Sequence, residues 1–533
     1  MRALSIAVLG LVLGIATTSA APYQVEEKGI AVLQADMAAG RVTSVGLVRS
    51  YMARIDALDR NGPRLRAVIA VNPHAIADAI ALDAERKAKG ARGPLHGIPI
   101  LVKDNVETAD PMPTTAGSLA LAANVTHRDA PLVARLRAAG AVILGKTNLS
   151  EWANFRSSHS ISGWSGIGGL VKNPYVLDRN SCGSSSGSAV AVASSLAAAA
   201  IGTETNGSLV CPGSFNGIVA FKPTLGLVSR THVVPISHNQ DTAGPMARTV
   251  ADAGVLLNAI SGADAADTTT ANADANKSDF AALSGGSLRG KRLGVVMPRP
   301  DTLPSDSELL LAQWLVTLKA GGAEIVEIGD FVVPPQASFS SADQKLVLQY
   351  DFKNDLNAYL ASLPAGRIHN LSDLIAFNAA SPRETALFGQ NIFMESDARG
   401  DLGTPAYIRA REELNRLATA TLNDVLKRYR LDALIRPTTE PAFRIDIVRG
   451  NTAGGGELTG LAAVAGYPHL TVPMGYVHGL PVGLSFIGPA WSDAKVLALG
   501  YAFEQATHAR KAPNYLPSLE ATVGAGSDFA PAH

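Results

Sequence analysis

Two loops of small residues and one lysine are the parts of this chain best suited to chemistry. Lys103 ends the apolar run at residues 98–103, where a charged amine is costly to bury. A buried lysine acquires a lowered pKa and can then act as a base, or it can instead pair with the adjacent Asp104. The loops at residues 181–188 and 202–213 let backbone N–H groups approach a substrate closely. Together these features indicate a catalytic site with a lysine base.

Two motifs in the same region match known functional patterns but lack the structural setting of those patterns. Residues 140–147 fit the phosphate loop of nucleotide-binding proteins, but the four middle residues are Ala-Val-Ile-Leu. Such residues favour a buried strand, whereas a phosphate loop needs a flexible backbone after the strand. Residues 183–187 fit the nucleophile elbow of α/β-hydrolases, with Ser185 as nucleophile. The elbow follows an apolar strand, and the segment at 178–182 is polar, so we expect neither function.

An α/β fold is predicted to position these residues. Continuous apolar runs indicate buried strands, at residues 67–71, 98–103, 141–144, 292–297, 323–328, 433–436, 469–473 and 482–487. Apolar residues at helical spacing predict helices, at residues 30–37, from 43 or 44 to 55, and at 73–89, 130–139, 305–320 and 342–363. The Ala/Asp/Thr-rich segment 261–278 is expected to be a solvated loop. The alternation favours a covered sheet that is mixed or parallel.

The composition excludes several classes of protein. The 533 residues include 46 Lys plus Arg and 46 Asp plus Glu, so the formal net charge is zero. A nucleic-acid binder needs a basic surface to displace counterions, so we expect no nucleic-acid partner. Hydrophobic residues make up 47%, enough for a large core. Cys182 and Cys211 are too few for a cysteine-rich zinc site. We expect two buried thiols, with one disulfide as the alternative.

The first 20 residues have the pattern of a secretion signal. Arg2 precedes an apolar run that ends in small residues at Ala20, and such a segment is removed on export. We expect cleavage there and a location in the periplasm or outside the cell. An uncleaved anchor is the alternative, because the run is not far short of a span. Residues 189–201 are the best later candidate for a span, but they contain Ser194 and Ser195, so we expect a buried helix and no membrane contact after cleavage.

Several segments agree, in order along the chain, with the amidase signature family. They are residues 97–105, 115–118, 129–131, 145–148, 181–188, 202–208, 221–224, 241–248 and 479–483. Because these independent segments cover most of the mature chain, the sequence resembles that family specifically. The resemblance implies a large mixed β-sheet covered by helices on both faces. It also implies a single compact catalytic domain over residues 26–515, followed by a tail at 516–533.

The resemblance implies roles for individual residues. Ser208 matches the nucleophile, Ser184 matches the bridging serine that follows a cis peptide bond, and Lys103 matches the base. Ser185 matches a supporting hydrogen-bonding position. The oxyanion hole is implied at the backbone N–H groups of Thr205, Asn206, Gly207 and Ser208.

Three residues depart from the family pattern. Cys182 and Ser186 stand where glycines are commoner, and Asn206 stands where glycine or aspartate is usual. Loop positions tolerate the first two changes. Asn206 keeps its backbone donor, so the implied oxyanion hole is retained while the electrostatics around it can differ.

The activity implied by the resemblance is that of a serine hydrolase. Such an enzyme cleaves carboxamide C–N bonds through an acyl-enzyme, without a cofactor or a metal. Residues 148–155, 160–164, 181–188 and 201–212 resemble bacterial peptide amidases, which release ammonia from C-terminally amidated peptides. A general aliphatic or aryl amidase is the nearest alternative. A glutamyl-tRNA amidotransferase subunit is less favoured, and so is a non-catalytic binding protein.

The acyl pocket is expected to draw on residues 154–164 and 340–402. The second of these segments is not aligned by the family signature. Phe155, Trp164 and Phe393 are candidates for an apolar pocket wall, although aromatic residues more commonly pack in the core.

Overall fold

The computed structural model describes residues 23–283, 287–296, 303–338, 341–364, 366, 368–451 and 456–520. The predicted signal peptide lies outside these residues, and so does the predicted tail from residue 521 onward. The start of that tail is described. The N–H of Leu516 donates to the carbonyl of Tyr175 (3.1 Å), and its carbonyl accepts from the N–H of Leu177 (2.8 Å), so Leu516 is attached to the body of the domain.

One large sheet and one small hairpin contain the strands of the described residues. In chain order these strands are β1 (Val68–Val71), β2 (Pro99–Lys103), β3 (Val142–Thr147), β4 (Trp164–Ser165), β5 (Gly169–Leu170), β6 (Ala199–Glu204), β7 (Val219–Lys222), β8 (Thr242–Ala247), β9 (Arg292–Val296), β10 (Glu324–Ile328), β11 (Ala433–Pro437), β12 (His469–Val477) and β13 (Leu480–Ile487). The large sheet has 11 strands in the order β1-β3-β2-β6-β8-β7-β12-β13-β11-β9-β10, and β4 pairs with β5. All eight predicted strands are present; residue 297, the predicted end of β9, lies outside the described residues.

The sheet is mixed and covered on both faces. β2 pairs in parallel with β3 and β6, and β9 pairs in parallel with β10 and β11. From β6 to β11, neighbouring strands are antiparallel. Every residue of β2, β3, β6 and β8 is buried. Because successive side chains of a strand point to opposite faces, both faces are covered there, as the resemblance implied. The strand β3 also confirms that residues 140–147 are not a phosphate loop.

Helices surround the sheet, and those predicted at helical spacing are confirmed. The helices of the described residues are α1 (Ile30–Ala38), α2 (Ser44–Arg54), α3 (Ala75–Lys89), α4 (Pro131–Ala138), α5 (Ser186–Ala193), α6 (Val210–Phe215), α7 (Val250–Ile260), α8 (Ala273–Asn276), α9 (Asp306–Ala320), α10 (Ala342–Ala361), α11 (Leu371–Ala380), α12 (Asn391–Asp397), α13 (Pro405–Arg428), α14 (Glu457–Val464) and α15 (Asp493–Thr507). Thr43 caps α2, because its side chain accepts the N–H of Gly46. The prediction of a loop over 261–278 holds only in part, because a 3₁₀ helix (Thr268–Asn272) and α8 occupy half of the segment.

The prediction of one buried helix over residues 189–201 is wrong, because α5 ends and β6 begins within that segment. The guanidinium of Arg54 donates to the carbonyls of Ser194 (2.9 Å) and Ser195 (3.0 Å). These bonds satisfy carbonyl groups that a helix end leaves unpaired. Ser195 has φ 52°, a left-handed conformation that ends the helix. A short buried run of small apolar residues suits a helix or a strand equally well, so composition alone did not reveal the break.

Four elements bring the candidate site residues together. β2 ends at Lys103, and β6 lies beside β2 in the sheet. The loop before α5 carries Ser184 and Ser185, and α5 packs against both strands. Ser208 lies in the loop between β6 and α6. The parallel strands and the two helix-preceding loops therefore converge at the carboxyl ends of β2 and β6.

Candidate active site

Lys103 is fully buried and touches the candidate bridging serine. Its Nζ atom lies 2.8 Å from Ser184 Oγ, 2.8 Å from Thr203 Oγ1 and 3.3 Å from the carbonyl oxygen of Thr203. The alternative pairing with Asp104 is wrong: that carboxylate accepts hydrogen bonds from the N–H and the hydroxyl of Thr115. Among the described residues Lys103 forms no ion pair, so its three polar contacts are all to neutral groups.

Burial lowers the pKa of Lys103 to about 7, against the weaker opposing effect of the carboxylates of Asp241 and Glu204. The neutral amine has two N–H groups and one lone pair. The two N–H groups can remain with the two oxygens of Thr203, which leaves the lone pair to accept the proton of Ser184. The surroundings of Lys103 therefore suit a base at neutral pH.

Ser184 is held in a tight loop. The peptide bond from Gly183 to Ser184 is cis, as the resemblance implied, and Ser184 is fully buried. Its carbonyl accepts the N–H of Ser150 at 3.0 Å. A Cβ atom on Gly183 would lie 2.1 Å from Ser150 Oγ. A larger residue at this position would therefore require Ser150 or the loop that carries Ser184 to shift.

Ser185, in the loop before α5, bonds to strand β6 and to the loop that carries Ser208. Its Oγ atom donates to the carbonyl of Thr203 (3.0 Å) and accepts the N–H of Thr203 (3.1 Å). Its N–H donates to the carbonyl of Ser208 at 3.2 Å. The Ser185 hydroxyl is thus engaged by the backbone of β6, and no histidine of the described residues bonds to it. This arrangement suits a supporting residue and not the nucleophile of a hydrolase elbow.

Ser208 lies beside these groups and keeps 7% of its surface exposed, whereas Ser184 is fully buried. Of the two serines, Ser208 is therefore the one that a substrate can reach. Among the described residues no hydrogen bond joins the hydroxyls of Ser184 and Ser208. The arrangement places the two loops together, and catalytic hydrogen bonds of this kind often tighten only when substrate is bound.

Four consecutive backbone N–H groups, from Thr205 to Ser208, donate no hydrogen bond to any of the described residues. The next two N–H groups differ, because those of Leu209 (2.8 Å) and Val210 (3.2 Å) both donate to Glu204 Oε2. Gly207 adopts φ 80°, a left-handed conformation that turns the loop. Clustered N–H donors are the usual means of binding a negatively charged oxygen, and here they lie directly beside the Ser208 hydroxyl in sequence.

Asp241, the residue before strand β8, supports this N–H cluster. Its Oδ1 atom accepts the hydroxyl proton of Thr205 at 2.5 Å, and its Oδ2 atom accepts the N–H groups of Ile236 (2.7 Å) and Ser237 (2.8 Å). Burial raises the pKa of Asp241 to about 6. The Gln240 amide adds a bond to the carbonyl of Thr205 at 3.1 Å, so the loop is held from one side.

Sequence reasoning assigned no role to Thr203, Asn105 or Asp241. Thr203 Oγ1 accepts hydrogen bonds from both Lys103 Nζ and Asn105 Nδ2, the latter at 3.0 Å. Asn105 lies two positions after Lys103, in the matched segment 97–105. Thr203 lies in the matched segment 202–208, which ends at Ser208. A signal was therefore present, but only the pairing of β2 with β6 shows that Thr203 faces the lysine.

The two segments expected to form the acyl pocket, 154–164 and the described part of 340–402, pack against each other through aromatic side chains. Phe393 is fully buried, and its ring stacks on Phe352 and meets Trp152 edge-on. Trp164 meets Phe388 edge-on. These aromatic side chains form a core between the two segments, so the interpretation of Trp164 and Phe393 as core residues holds.

A buried charged cluster joins the same two segments. Arg156 is fully buried; its Nε atom lies 3.2 Å from Glu151 Oε1, and its Nη1 atom lies 3.9 Å from Glu384 Oε2. Burial raises the pKa of Glu151 well above its usual value. The guanidinium also lies over the ring of Phe388, 4.2 Å from the ring centre. Glu384 and Phe388 therefore attach the described part of that segment to Arg156.

The expectation of two free thiols is wrong, because Cys182 and Cys211 form a disulfide. Their Cα atoms are 5.9 Å apart, within the range that a disulfide requires. Ser184 and Ser208 lie in loops that meet in the fold, and each cysteine lies close to one of those serines in sequence. Proximity in the fold, which the spacing of the two cysteines along the chain does not reveal, accounts for the bond.

Two further structural findings concern metals and membranes. Within the described ranges, no group of three or more His, Cys, Asp or Glu side chains is placed to hold a metal ion. None of the helices in that part of the chain is long and apolar enough to cross a membrane.

Comparisons with known proteins place these features in context. The family model described as Amidase matches residues 46–497. A probable amidase of Arabidopsis thaliana is 38% identical over 507 residues, which are 93% of this chain and 93% of that protein. A glutamyl-tRNA(Gln) amidotransferase subunit of Symbiobacterium thermophilum is 35% identical over 88% of this chain and 94% of its own length. The structure of native peptide amidase from Stenotrophomonas maltophilia is 50% identical with a TM-score of 0.87, and the match covers 93% of this chain and 100% of that one.

Proposed function

This chain belongs to the amidase signature family and hydrolyses amide bonds, and from that premise we propose that it removes ammonia from C-terminally amidated peptides. In this proposal Ser208 is the nucleophile, Ser184 relays protons and Lys103 is the base. One observation carries the proposal. The buried amine of Lys103 lies 2.8 Å from Ser184 Oγ, beside a loop whose N–H groups from Thr205 to Ser208 donate to no other described residue.

The reaction begins with two proton transfers. Neutral Lys103 takes the hydroxyl proton of Ser184, and Ser184 takes the hydroxyl proton of Ser208. A serine hydroxyl is a weak nucleophile until a base removes its proton. Ser208 Oγ then bonds to the carbonyl carbon of the terminal carboxamide, and the carbonyl oxygen becomes negatively charged.

The backbone N–H groups of Thr205, Asn206, Gly207 and Ser208 bind that oxygen. One such donor typically contributes about 3 kcal/mol to the stability of the transition state. The C–N bond then breaks as the proton held by Lys103 returns through Ser184 to the leaving nitrogen, and ammonia departs. Water attacks the remaining Ser208 ester by the same proton route, which releases the peptide carboxylate and restores the Ser208 hydroxyl.

The choice of a peptide amide as substrate is supported by likeness to a peptide amidase. That structure is 50% identical and matches along its whole length, whereas the amidotransferase protein is 35% identical. A general aliphatic or aryl amidase uses the same chemistry and is the second candidate. A role in tRNA amidotransfer is disfavoured by the zero net charge, which does not suit a tRNA-binding partner.

Export from the cytoplasm is also proposed, on two grounds. The first is the signal-peptide pattern of residues 1–20. The second is the disulfide between Cys182 and Cys211, since disulfides persist mainly in oxidising compartments and are rare in the cytosol. Amino-terminal sequencing of the protein recovered from the periplasm or medium tests this. A start at or near residue 21 supports export with cleavage, and recovery of uncleaved protein from the cytoplasm contradicts it.

Ammonia release separates the candidate functions. The full chain is incubated with an N-blocked dipeptide amide, with acetamide and with benzamide, and Ser208→Ala is the control. Fast release from the peptide amide alone, absent in the control, is the expected result. Equal or faster release from the small amides contradicts the peptide preference and leaves a general amidase. Release that persists in Ser208→Ala contradicts the assignment of the nucleophile.

A further inference from the structure

A disulfide ties together the two loops that carry the proposed serines. Cys182 stands two positions before Ser184, and Cys211 stands three positions after Ser208. The bond spans 29 positions of sequence. It links the loop that precedes α5 to the first turn of α6, so it joins the two loops close to both serine hydroxyls.

The separation of the two hydroxyls depends on how these loops are held. No hydrogen bond of the described residues joins the hydroxyl of Ser184 to that of Ser208. Backbone and amide contacts connect the loops nearby: the N–H of Ser185 donates to the carbonyl of Ser208 (3.2 Å), and Asn216 Nδ2 donates to the carbonyl of Ser181 (2.8 Å). The disulfide is the covalent restraint that accompanies these bonds.

The sulfur atoms take no part in the amide chemistry. Cys182 and Cys211 are 7% and 2% exposed, and they pack in an apolar cluster with Tyr175, Val176 and Phe215. The backbone at both cysteines leads toward the site. The carbonyl of Cys182 accepts the hydroxyl proton of Ser186 at 2.6 Å, at the start of α5. The N–H of Cys211 donates to the carbonyl of Gly207 at 2.9 Å, in the N–H cluster.

We propose that the Cys182–Cys211 disulfide is a positioning element that holds Ser184 near Ser208, so that full amide hydrolysis requires the oxidised form. This inference rests on the proposed function. Reduction by a small dithiol breaks the S–S bond, transfers two electrons and two protons to give two cysteine thiols, and converts the dithiol into its own cyclic disulfide. Without the covalent link the two loops can separate, and proton transfer between the serines becomes less frequent.

The expected loss falls on kcat. A misplacement of about 1 Å between reacting groups can cost about a hundredfold in rate. Because hydrogen bonds still connect the loops, we expect kcat to fall about tenfold. Substrate contacts made by the pocket do not involve the sulfur atoms, so KM is expected to stay within about twofold.

The test compares oxidised and reduced forms of the full chain. The purified protein is treated with dithiothreitol below its unfolding temperature until two thiols titrate, and kcat and KM for an N-blocked dipeptide amide are measured at 25 °C. The reductant is then removed and the disulfide is re-formed. We expect kcat to fall about tenfold on reduction and to return on reoxidation.

Variants separate the bond from the individual sulfur atoms. Cys182→Ser, Cys211→Ser and the double variant are expected to share the lowered kcat, because each removes the same bond, and to be insensitive to dithiothreitol. Circular dichroism shows whether each variant is folded. Where one is not, reduction of the unaltered chain decides the matter, since that measurement needs no substitution.

Several outcomes would overturn the inference. Reduced protein with two titrated thiols and an unchanged kcat contradicts it, even if the melting temperature falls, because that result describes a purely structural bond. An equal effect of dithiothreitol on the double variant also contradicts it. Oxidised protein that releases no ammonia from the peptide amide contradicts the proposed function instead, so the two failures are distinguishable.

Discussion

The amine of Lys103 and the hydroxyl of Ser184 are 2.8 Å apart, and both residues are fully buried. The lysine comes from the end of β2, and the serine comes from the loop before α5, 81 positions later in the sequence. Burial lowers the pKa of the amine to about 7, so the pair can exchange a proton at neutral pH. The proposed activity depends on this contact.

Replacement of Lys103 by alanine is expected to abolish activity while the fold persists. The substitution removes a proton acceptor, a loss that commonly costs about a hundred- to ten-thousandfold in rate. It also removes a buried amine whose charged form is unfavourable, so the folded state is retained. Ammonia release and thermal unfolding of Lys103→Ala measure the two effects. An unfolded variant would point to a structural role for the lysine.

Activity is expected to rise with pH through neutrality. The folded pKa of Lys103 lies near 7, below its usual value, and the neutral form is the active one. About a tenth of the molecules carry a neutral lysine at pH 6 and about nine-tenths at pH 8. The dependence of kcat/KM on pH between 5 and 9 measures this. A profile that is highest near pH 5 would contradict a lysine base.

Replacement of Glu204 by glutamine is expected to move that pH profile toward acid. The carboxylate favours the charged form of Lys103 and so raises its pKa against the effect of burial. Glutamine keeps an oxygen for the N–H groups of Leu209 and Val210, whose hydrogen bonds Glu204 now accepts, but it removes the negative charge. The midpoint of the kcat/KM profile should fall below that of the unaltered enzyme. An alkaline shift would refute this electrostatic role.

Replacement of Thr203 by valine is expected to lower kcat about tenfold, since Thr203 Oγ1 orients Lys103 Nζ at 2.8 Å. KM should change little, because Thr203 is proposed to act on the lysine and not on substrate. Thr270→Val is the matched control. Both threonines are buried, with Thr203 7% and Thr270 0% exposed, and the hydroxyl of Thr270 bonds to backbone carbonyls at Asp264 and Asp267.

The control is expected to lose about 1 to 2 kcal/mol of unfolding free energy without a change in kcat. Steady-state kinetics and chemical denaturation of both variants separate the two roles. Equal kcat values for the two threonine variants would remove Thr203 from the site.

Replacement of Gly183 by alanine is expected to displace Ser184. The new Cβ atom would lie 2.1 Å from Ser150 Oγ, so the loop or Ser150 must shift. Gly329→Ala is the matched control, because no atom lies within 4 Å of the added carbon there. We expect kcat to fall at least tenfold in the first variant and to stay unchanged in the second. A fully active Gly183→Ala enzyme would show that the loop has room to adjust.

The sequence predicted the site better than it predicted the contacts between its parts. Lys103, Ser184 and Ser208 lie in segments whose order and residue types resemble a known family, and strands such as β2 and β3 are continuous apolar runs. The break between α5 and β6 was missed, because buried alanines suit either conformation and Arg54, which donates to the carbonyls at the break, is distant in sequence.

The disulfide and the role of Thr203 were missed for a related reason. Each depends on which segments lie side by side in the fold. Two cysteines 29 positions apart in sequence are compatible with free thiols and with a disulfide. Only the positions of their loops in the fold distinguish the two. Thr203 becomes a partner of Lys103 only because β6 pairs with β2.

The mass of the acylated enzyme tests the proposed mechanism most directly. The full chain is mixed with an N-blocked dipeptide amide and quenched in acid within milliseconds, and the modified peptide is located by mass spectrometry. We predict an added mass equal to the substrate minus ammonia, carried by Ser208 and absent in Ser208→Ala. The same adduct on Ser184 or Ser185, or rapid ammonia release by Ser208→Ala, would contradict the mechanism.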